Sequence, residues 1–188
     1  MTKIQDAKIL IVATHGFEQS ELFRPKEDLA AKGATVHVAS LETGEIKGWD
    51  EDDWGRSCGV DLLVSDADAD DYDALVLPGG QMNPDVLRVE RDVLDLIHRF
   101  HEQGKPIAAI CHAPWLLIEA GLADEGRTMT SYGSIKTDVR NAGATWVDQE
   151  VVSDGGIITS RQPGDLDAFI RAVTEAVEAR EAGDQAAA

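Results

Sequence analysis

A cysteine and a histidine, Cys111 and His112, stand where an apolar run gives way to a helical pattern in GKPIAAICHAPWLL, residues 104–117. Ile107 to Ile110 form the run, introduced by Gly104 and Pro106. His112 to Ala120 carry apolar residues at helical spacing, with Pro114 tolerated in a first turn. A thiol at such a junction faces unpaired backbone amides and the positive end of a helix dipole, which favour thiolate over thiol. The same amides would hold an oxyanion if the thiolate attacked a carbonyl. A turn from strand through nucleophile to helix also lifts the attacking atom above the carboxyl edge of a parallel sheet, the nucleophile elbow of hydrolases. The plainer reading of Cys111 is a small buried apolar residue, as most free cysteines are. His112 is a candidate general base, although neighbours in a helix point apart and adjacency alone makes no dyad.

The elements that must position this pair alternate between strand and helix. Lys8 to Ala13, KILIVA, reads as a central parallel strand covered on both faces. Gly16 to Lys32 read as a helix closed by Gly33, and Thr35 to Ser40 as the next strand. Residues 44–64 are irregular and suggest a small hairpin or excursion at the sheet edge. Asp73 to Leu77 resume the core, Pro78, Gly79 and Gly80 end it, and a helix from about Asp85 to Gln103 leads to the Cys111 strand. Ser131 to Asn141 and Pro163 to Arg180 read as helices, with EVVSDGGIITS at 150–160 as paired strands around Asp154, Gly155 and Gly156. The polar, alanine-rich tail 181–188 is expected to fray.

This alternation predicts one α/β domain over 1–188, a three-layer sandwich with a flavodoxin-like, doubly wound, mostly parallel sheet and right-handed crossovers. Ligands of such sheets bind beyond the carboxyl ends of the strands. Thr14 to Glu18, Pro78 to Gln81 and Cys111 all fall at such ends, so they should share one cleft.

Composition narrows the chemistry. Seventeen basic against thirty-five acidic residues give a formal charge of −18, which repels phosphate backbones and excludes nucleic acid as a natural partner. No apolar run is of membrane-spanning length, and no basic-then-apolar amino terminus suggests a signal peptide, so a soluble, cytoplasmic protein is expected. The two cysteines, Cys58 and Cys111, are far apart and make no metal-type pair; no zinc site and no cofactor are expected. The acidic clusters at Asp50 to Asp53 and Asp66 to Asp73 lack calcium-loop spacing and read as solvated loop faces. Cys58, in GRSCGV, reads as a loop or edge residue.

Four collinear motifs, GFEQSEL at 16–22, LVLPGG at 75–80, AICHAPWLL at 109–117 and TSYGSIKTDVRNAGATWVDQEVV at 130–152, resemble the ThiJ/PfpI superfamily, in its branch of PfpI-like intracellular proteases and general stress proteins. The match spans about residues 7 to 178 and implies a class I glutamine amidotransferase-like fold. The resemblance implies that Glu18 lies against the Cys111 sulfur, where a protonated carboxyl would donate to a thiolate. Without it, Glu18 reads as a helix-start acid. It also implies a Cys111–His112 pair completed by an acid from a neighbouring subunit, at the position of Asp85 once one inserted residue is allowed in the turn. The active unit would then be a dimer or larger. Gly79 or Gly80, with the amide of His112, would make the oxyanion hole. Tyr132 would border the site and bind substrate, or be a half-buried core tyrosine. His15 and Trp115 fall near the cleft mouth and are given no chemistry.

Three activities follow from that resemblance: thiol chemistry on reactive carbonyls or their early protein adducts, peptide hydrolysis through an acyl-enzyme, and a redox sensor or holdase whose cysteine is oxidised. The first, a stress-linked, deglycase- or glyoxalase-like cysteine hydrolase, is the reading preferred here.

Overall fold

A computed structural model describes residues 3–186, with side chains described as far as residue 180. Strand β1 (Lys8–Val12) passes through a short β2 (Phe17–Glu18) into α1 (Gln19–Ala31), and the chain returns as β3 (Thr35–Ser40). A hairpin of β4 (Glu45–Asp50) and β5 (Asp53–Gly59) precedes β6 (Leu62–Leu63), and β7 (Ala74–Leu77) ends at Pro78, Gly79 and Gly80. Helices α2 (Met82–Leu87) and α3 (Arg91–Glu102) lead to β8 (Ile107–Ile110), Cys111 and α4 (Pro114–Glu119). Beyond these lie β9 (Thr128–Met129), α5 (Lys136–Ala142), β10 (Thr145–Trp146), β11 (Val151–Asp154), β12 (Ile157–Ser160) and α6 (Leu166–Ala186).

The central sheet runs β11-β12-β8-β7-β1-β3-β6, parallel throughout except for β11 against β12. Strict alternation along its strands builds two cores. Leu10, Val12, Leu75, Leu77, Ile107 and Ala109 face α3 and α4, whereas Ile9, Ile11, Val76, Ala108 and Ile110 face α1 and α6. Leu96, Ile97 and Phe100 of α3 seal the first layer, and Leu22, Leu29, Phe169 and Val173 the second, all buried. Each such side chain contributes about 1.5–3 kcal/mol. With both faces covered, the carboxyl edge is the part of the sheet left for chemistry.

The structure departs from the sequence expectation in several places. The hairpin does not extend the main sheet: β4 pairs with β2 in a separate three-stranded sheet, β2-β4-β5, and β6 alone takes the edge beside β3. That pairing holds Phe17 and Glu18 extended, so α1 starts at Gln19 rather than Gly16. The helix expected over 85–103 breaks between Leu87 and Arg91. At about 100° per residue, a continuous helix would turn Leu87 roughly 120° away from Val93, and both are buried. The helix expected from Ser131 begins at Lys136, after a 3-10 turn at Gly133–Ile135. The β9–β10 pair was not legible, since each strand is two residues long. The Gly155–Gly156 turn is as expected, both residues having positive φ. Helix α6 continues to Ala186, and the last residues of the tail expected to fray, 187–188, lie outside those described.

Candidate active site

Cys111 has φ 65°, and it shares positive φ with only one other non-glycine residue among those described, Glu51. Left-handed backbone at a residue with a Cβ costs of order 1–3 kcal/mol and needs enforcement by its surroundings. The enforcement is visible: the Cys111 amide donates to the carbonyl of Ser160 at 3.0 Å, and its carbonyl accepts from the Tyr132 amide at 2.8 Å. The chain then turns through His112 and Ala113 before α4 starts at Pro114, a first-turn proline as the sequence predicts.

Because Cys111 and His112 lie before the helix, the expectation that neighbours diverge does not apply. The imidazole folds back so that Nδ1 is 3.2 Å from Sγ, while Nε2 is 3.2 Å from the Ser134 hydroxyl. Tyr132 stacks on the ring at 4.8 Å between centroids, and Trp115 packs at 5.2 Å. Burial pushes the imidazole pKa down, which favours the neutral, base-competent form. Tyr132 is therefore not a core tyrosine: its ring covers His112 and the residue is 41% exposed.

The carboxyl beside the sulfur belongs to Glu21, not Glu18. Glu18 is the N-cap of α1, accepting from the Glu21 amide at 2.8 Å and the Ser20 hydroxyl at 2.6 Å. Glu21, one turn on, lies on the buried face with Leu22, Pro25 and Leu29. Its Oε2 accepts from the Gly79 amide at 2.9 Å, and its side chain is completely buried. Oε1 has no hydrogen-bond partner of full geometry, yet the Cys111 thiol lies within interaction range of the carboxyl. Burial first, then the charge of Glu18, pushes Glu21 up from 4.5 to about 8, against the Gly79 amide, the Cys111 thiol and the Gly80 amide. Glu21 is in phase with Pro25 and Leu29 at helical spacing, but that phase does not single it out in the sequence, and the resemblance pointed to Glu18.

Glu21 also corrects the expected acidity of the thiol. Burial first, then the Glu21 carboxylate, push the Cys111 pKa up; the amides of Gly80 and His112, which face the sulfur, act in the opposite direction. Two negative charges do not coexist in this buried pair, so thiolate requires the proton to sit on Glu21. The two glycines divide the work. A Cβ at Gly79 would fall 2.5 Å from Glu21 Oε2 and 2.7 Å from Cys111 Cβ, so that residue holds the carboxyl against the cysteine. Gly80 has φ 79°, and its amide faces the sulfur.

Sequence reasoning missed Asn83, which is fully buried below the turn. Its Oδ1 accepts from the Thr14 amide at 2.7 Å, and Nδ2 donates to the carbonyls of Pro78 and Gly79 at 2.8 and 3.1 Å. It ties the ends of β1 and β7 together; nothing in MNPDVL marks it. Asp85 is not brought to Cys111 or His112 within the chain: it is exposed on α2 and makes no hydrogen bond or ion pair among the described residues. His15 accepts from the Lys47 amide and takes no part in the cysteine cluster.

The family profile described as the DJ-1/PfpI family matches residues 7–176. The chain belongs to the DJ-1/PfpI family. A deglycase of Thermococcus kodakarensis is 44% identical over 164 residues, covering 87% of this chain and 95% of the relative. General stress protein 18 of Bacillus subtilis is 40% identical over 166 residues, 87% and 94% of the two chains. The crystal structure of Drosophila melanogaster DJ-1beta superposes with a TM-score of 0.81 at 32% identity, covering 90% of this chain and 89% of that one. The parallel sheet flanked by helices is thus the fold of the family.

In this member of the family, an open cavity of about 560 Å³ adjoins the cysteine cluster, sharing Tyr132 and Ser134 with it. Among the described residues, no three His, Cys, Asp or Glu side chains are placed to hold a metal ion, and no helix is long and apolar enough to cross a membrane.

Proposed function

We propose that the protein is a cysteine-dependent enzyme acting on reactive dicarbonyls such as methylglyoxal, or on their early adducts with amines, using its own side chains for proton transfer. The observation that carries this reading is the buried Glu21 carboxyl, pushed up to about 8, against a cysteine that also has an imidazole at 3.2 Å. Such a carboxyl can hold a proton at neutral pH and return it. The names of the deglycase relatives agree with this reading.

In this reading the Cys111 sulfur adds to the aldehyde carbon of a free dicarbonyl, where the C=O π bond opens and its oxygen takes up the proton lost by the thiol, relayed by Glu21 or His112. Where an amine is already attached to that carbon, the C–N bond breaks instead and the nitrogen leaves with that proton. The product is a hemithioacetal, its oxygen held by the Gly80 and His112 amides. Glu21 or His112 then moves a proton from that carbon to its neighbour, giving an enzyme-bound thioester of lactic acid. Water cleaves the S–C bond, releasing lactate and the thiol. The oxidation of one carbon is matched by the reduction of the next, so no external oxidant enters.

Asp85 belongs to the same proposal as a group lent to His112 of a neighbouring subunit. Exposed Met82, Val86 and Val89 around it supply apolar surface for such a contact. Mixing Cys111→Ala and Asp85→Ala subunits should restore activity through hybrid sites, and no recovery in proven heterodimers would remove Asp85 from the site.

The deciding experiment follows lactate from methylglyoxal beside a peptide-release assay, each repeated with Cys111→Ser. Cys111-dependent lactate supports the proposal. Peptide release without lactate would replace it with a peptidase, and turnover of neither, with peroxide-dependent mass gain on Cys111, with a sensor.

A further inference from the structure

The cavity beside His112 is far larger than a three-carbon dicarbonyl needs. Its walls include Tyr132, Ser134, Lys136, Trp146, Asp148 and Arg161. Ser134 bonds His112 Nε2, and Tyr132 stacks on the same ring, so the cavity begins one side chain away from the sulfur's partner. Its floor is rigid. The Arg161 guanidinium is bidentate to the buried carboxylate of Asp165 at 2.9 Å on both oxygens, and its Nη1 reaches Asp148 at 2.7 Å. The Trp146 indole N–H donates to the Ser131 hydroxyl at 2.9 Å, and the Arg140 guanidinium lies over its ring at 5.4 Å from the centroid, so the cavity wall pairs an aromatic ring with a cation.

The charges are unequal in their engagement. Arg161 is already neutralised by Asp165, whereas Lys136 makes no ion pair among the described residues. Asp148 is 69% exposed and spends one oxygen on Arg161, which leaves acceptor capacity toward the cavity. In a chain of formal charge −18, an ammonium outside any ion pair among the described residues and a half-engaged carboxylate lining one cavity suit a ligand that carries both charges.

We infer that this cavity is a second subsite, which binds the zwitterionic α-carboxylate and α-ammonium of a free amino acid whose side-chain nitrogen carries the carbonyl adduct. The α-carboxylate meets Lys136, the α-ammonium meets Asp148, and the methylene chain lies over Trp146 toward His112. The inference rests on the proposed carbonyl reading for what occupies Cys111, but binding at the subsite is measurable without turnover.

The test is calorimetric titration of the Cys111→Ser protein with Nε-acetyl-lysine, which has free α groups, and with Nα,Nε-diacetyl-lysine methylamide, which has the same side chain and none. The free-zwitterion probe should bind about tenfold tighter or more, as expected for charge-assisted contacts. Lys136→Ala and Asp148→Asn should each erase most of that difference, while Lys32→Ala, on the far side of the sheet, should leave it unchanged. Equal affinity for both probes, or a difference untouched by both cavity variants, would overturn the subsite. A parallel assay separates the two proposals: Cys111-dependent lactate from free methylglyoxal with no probe discrimination would remove the subsite and leave the carbonyl chemistry standing. Discrimination without lactate would do the reverse.

Discussion

The two cysteines of this chain are both buried, and burial pushes both thiols up, yet their surroundings differ in kind. Cys58 lies in β5 on ordinary extended backbone, with Lys26 Nζ at 3.7 Å, a cation that favours its thiolate. Cys111 lies on left-handed backbone beside a carboxyl that opposes its thiolate. By nearest charge alone, Cys58 would be the better nucleophile. What Cys111 has instead is a buried carboxyl pushed up to about 8, an imidazole nitrogen 3.2 Å from its sulfur, and the amides of Gly80 and His112 facing that sulfur. The contrast teaches that two buried thiols can differ in where a proton can go and return, which resting acidity alone does not show, and on the proposed function that difference marks Cys111 as the nucleophile.

The largest break in that contrast should come from removing each sulfur in turn. Cys111→Ser is expected to lower lactate formation by at least about 10³-fold, and Cys58→Ser to leave it within about twofold, in steady-state assays on folded protein. Next, Glu21→Gln should reduce kcat by about 10²–10⁴-fold, since the amide keeps the shape and loses the exchangeable proton. An unchanged kcat would return the shuttle to His112.

The same residue predicts a pH dependence of stability. Folded Glu21 holds its proton up to about 8, whereas in the unfolded chain it loses it near 4.5. Between these values the folded state binds more protons, so stability falls as pH rises through that window. Denaturant midpoints of the wild type should decline from pH 5 to pH 8, and Glu21→Gln should flatten the decline. Asn83→Ala comes next, expected to cost about 1–3 kcal/mol by orphaning the Thr14 amide and loosening the Pro78 to Gly80 turn, read by urea unfolding. The smallest effect is at Ser134→Ala, which leaves His112 Nε2 without its hydroxyl; a few-fold loss in kcat with a shifted pH profile is expected.

The alternation of apolar runs with helical patterns made the sheet legible, because central parallel strands are apolar on both faces and few other elements are. Cys111, the Pro78-Gly79-Gly80 turn and the Gly155–Gly156 hairpin were legible for a related reason: each sits where the backbone allows few residue types. The hairpin's true partner was not, since pairing between β2 and β4 is two residues long and leaves no periodicity. The resemblance pointed to Glu18, and nothing in the sequence singled out Glu21; only the helical phase set by the β2 pairing shows which acid turns inward. Asn83 gave no signal, because a buried asparagine is specified by the three backbone groups it satisfies rather than by its neighbours in sequence. The His112 geometry depended on a single positive φ that sequence does not display.

Glu21 and Cys111 are expected to share one proton, so that both are never charged together. The pH dependence of Cys111 alkylation by iodoacetamide, followed site by site by mass spectrometry in wild type and Glu21→Gln, tests that expectation directly. With the competing carboxylate gone, the variant's ionisation curve should move to lower pH by about one unit or more, even as its turnover collapses. Coincident curves, or a shift to higher pH, would show that the two groups titrate independently.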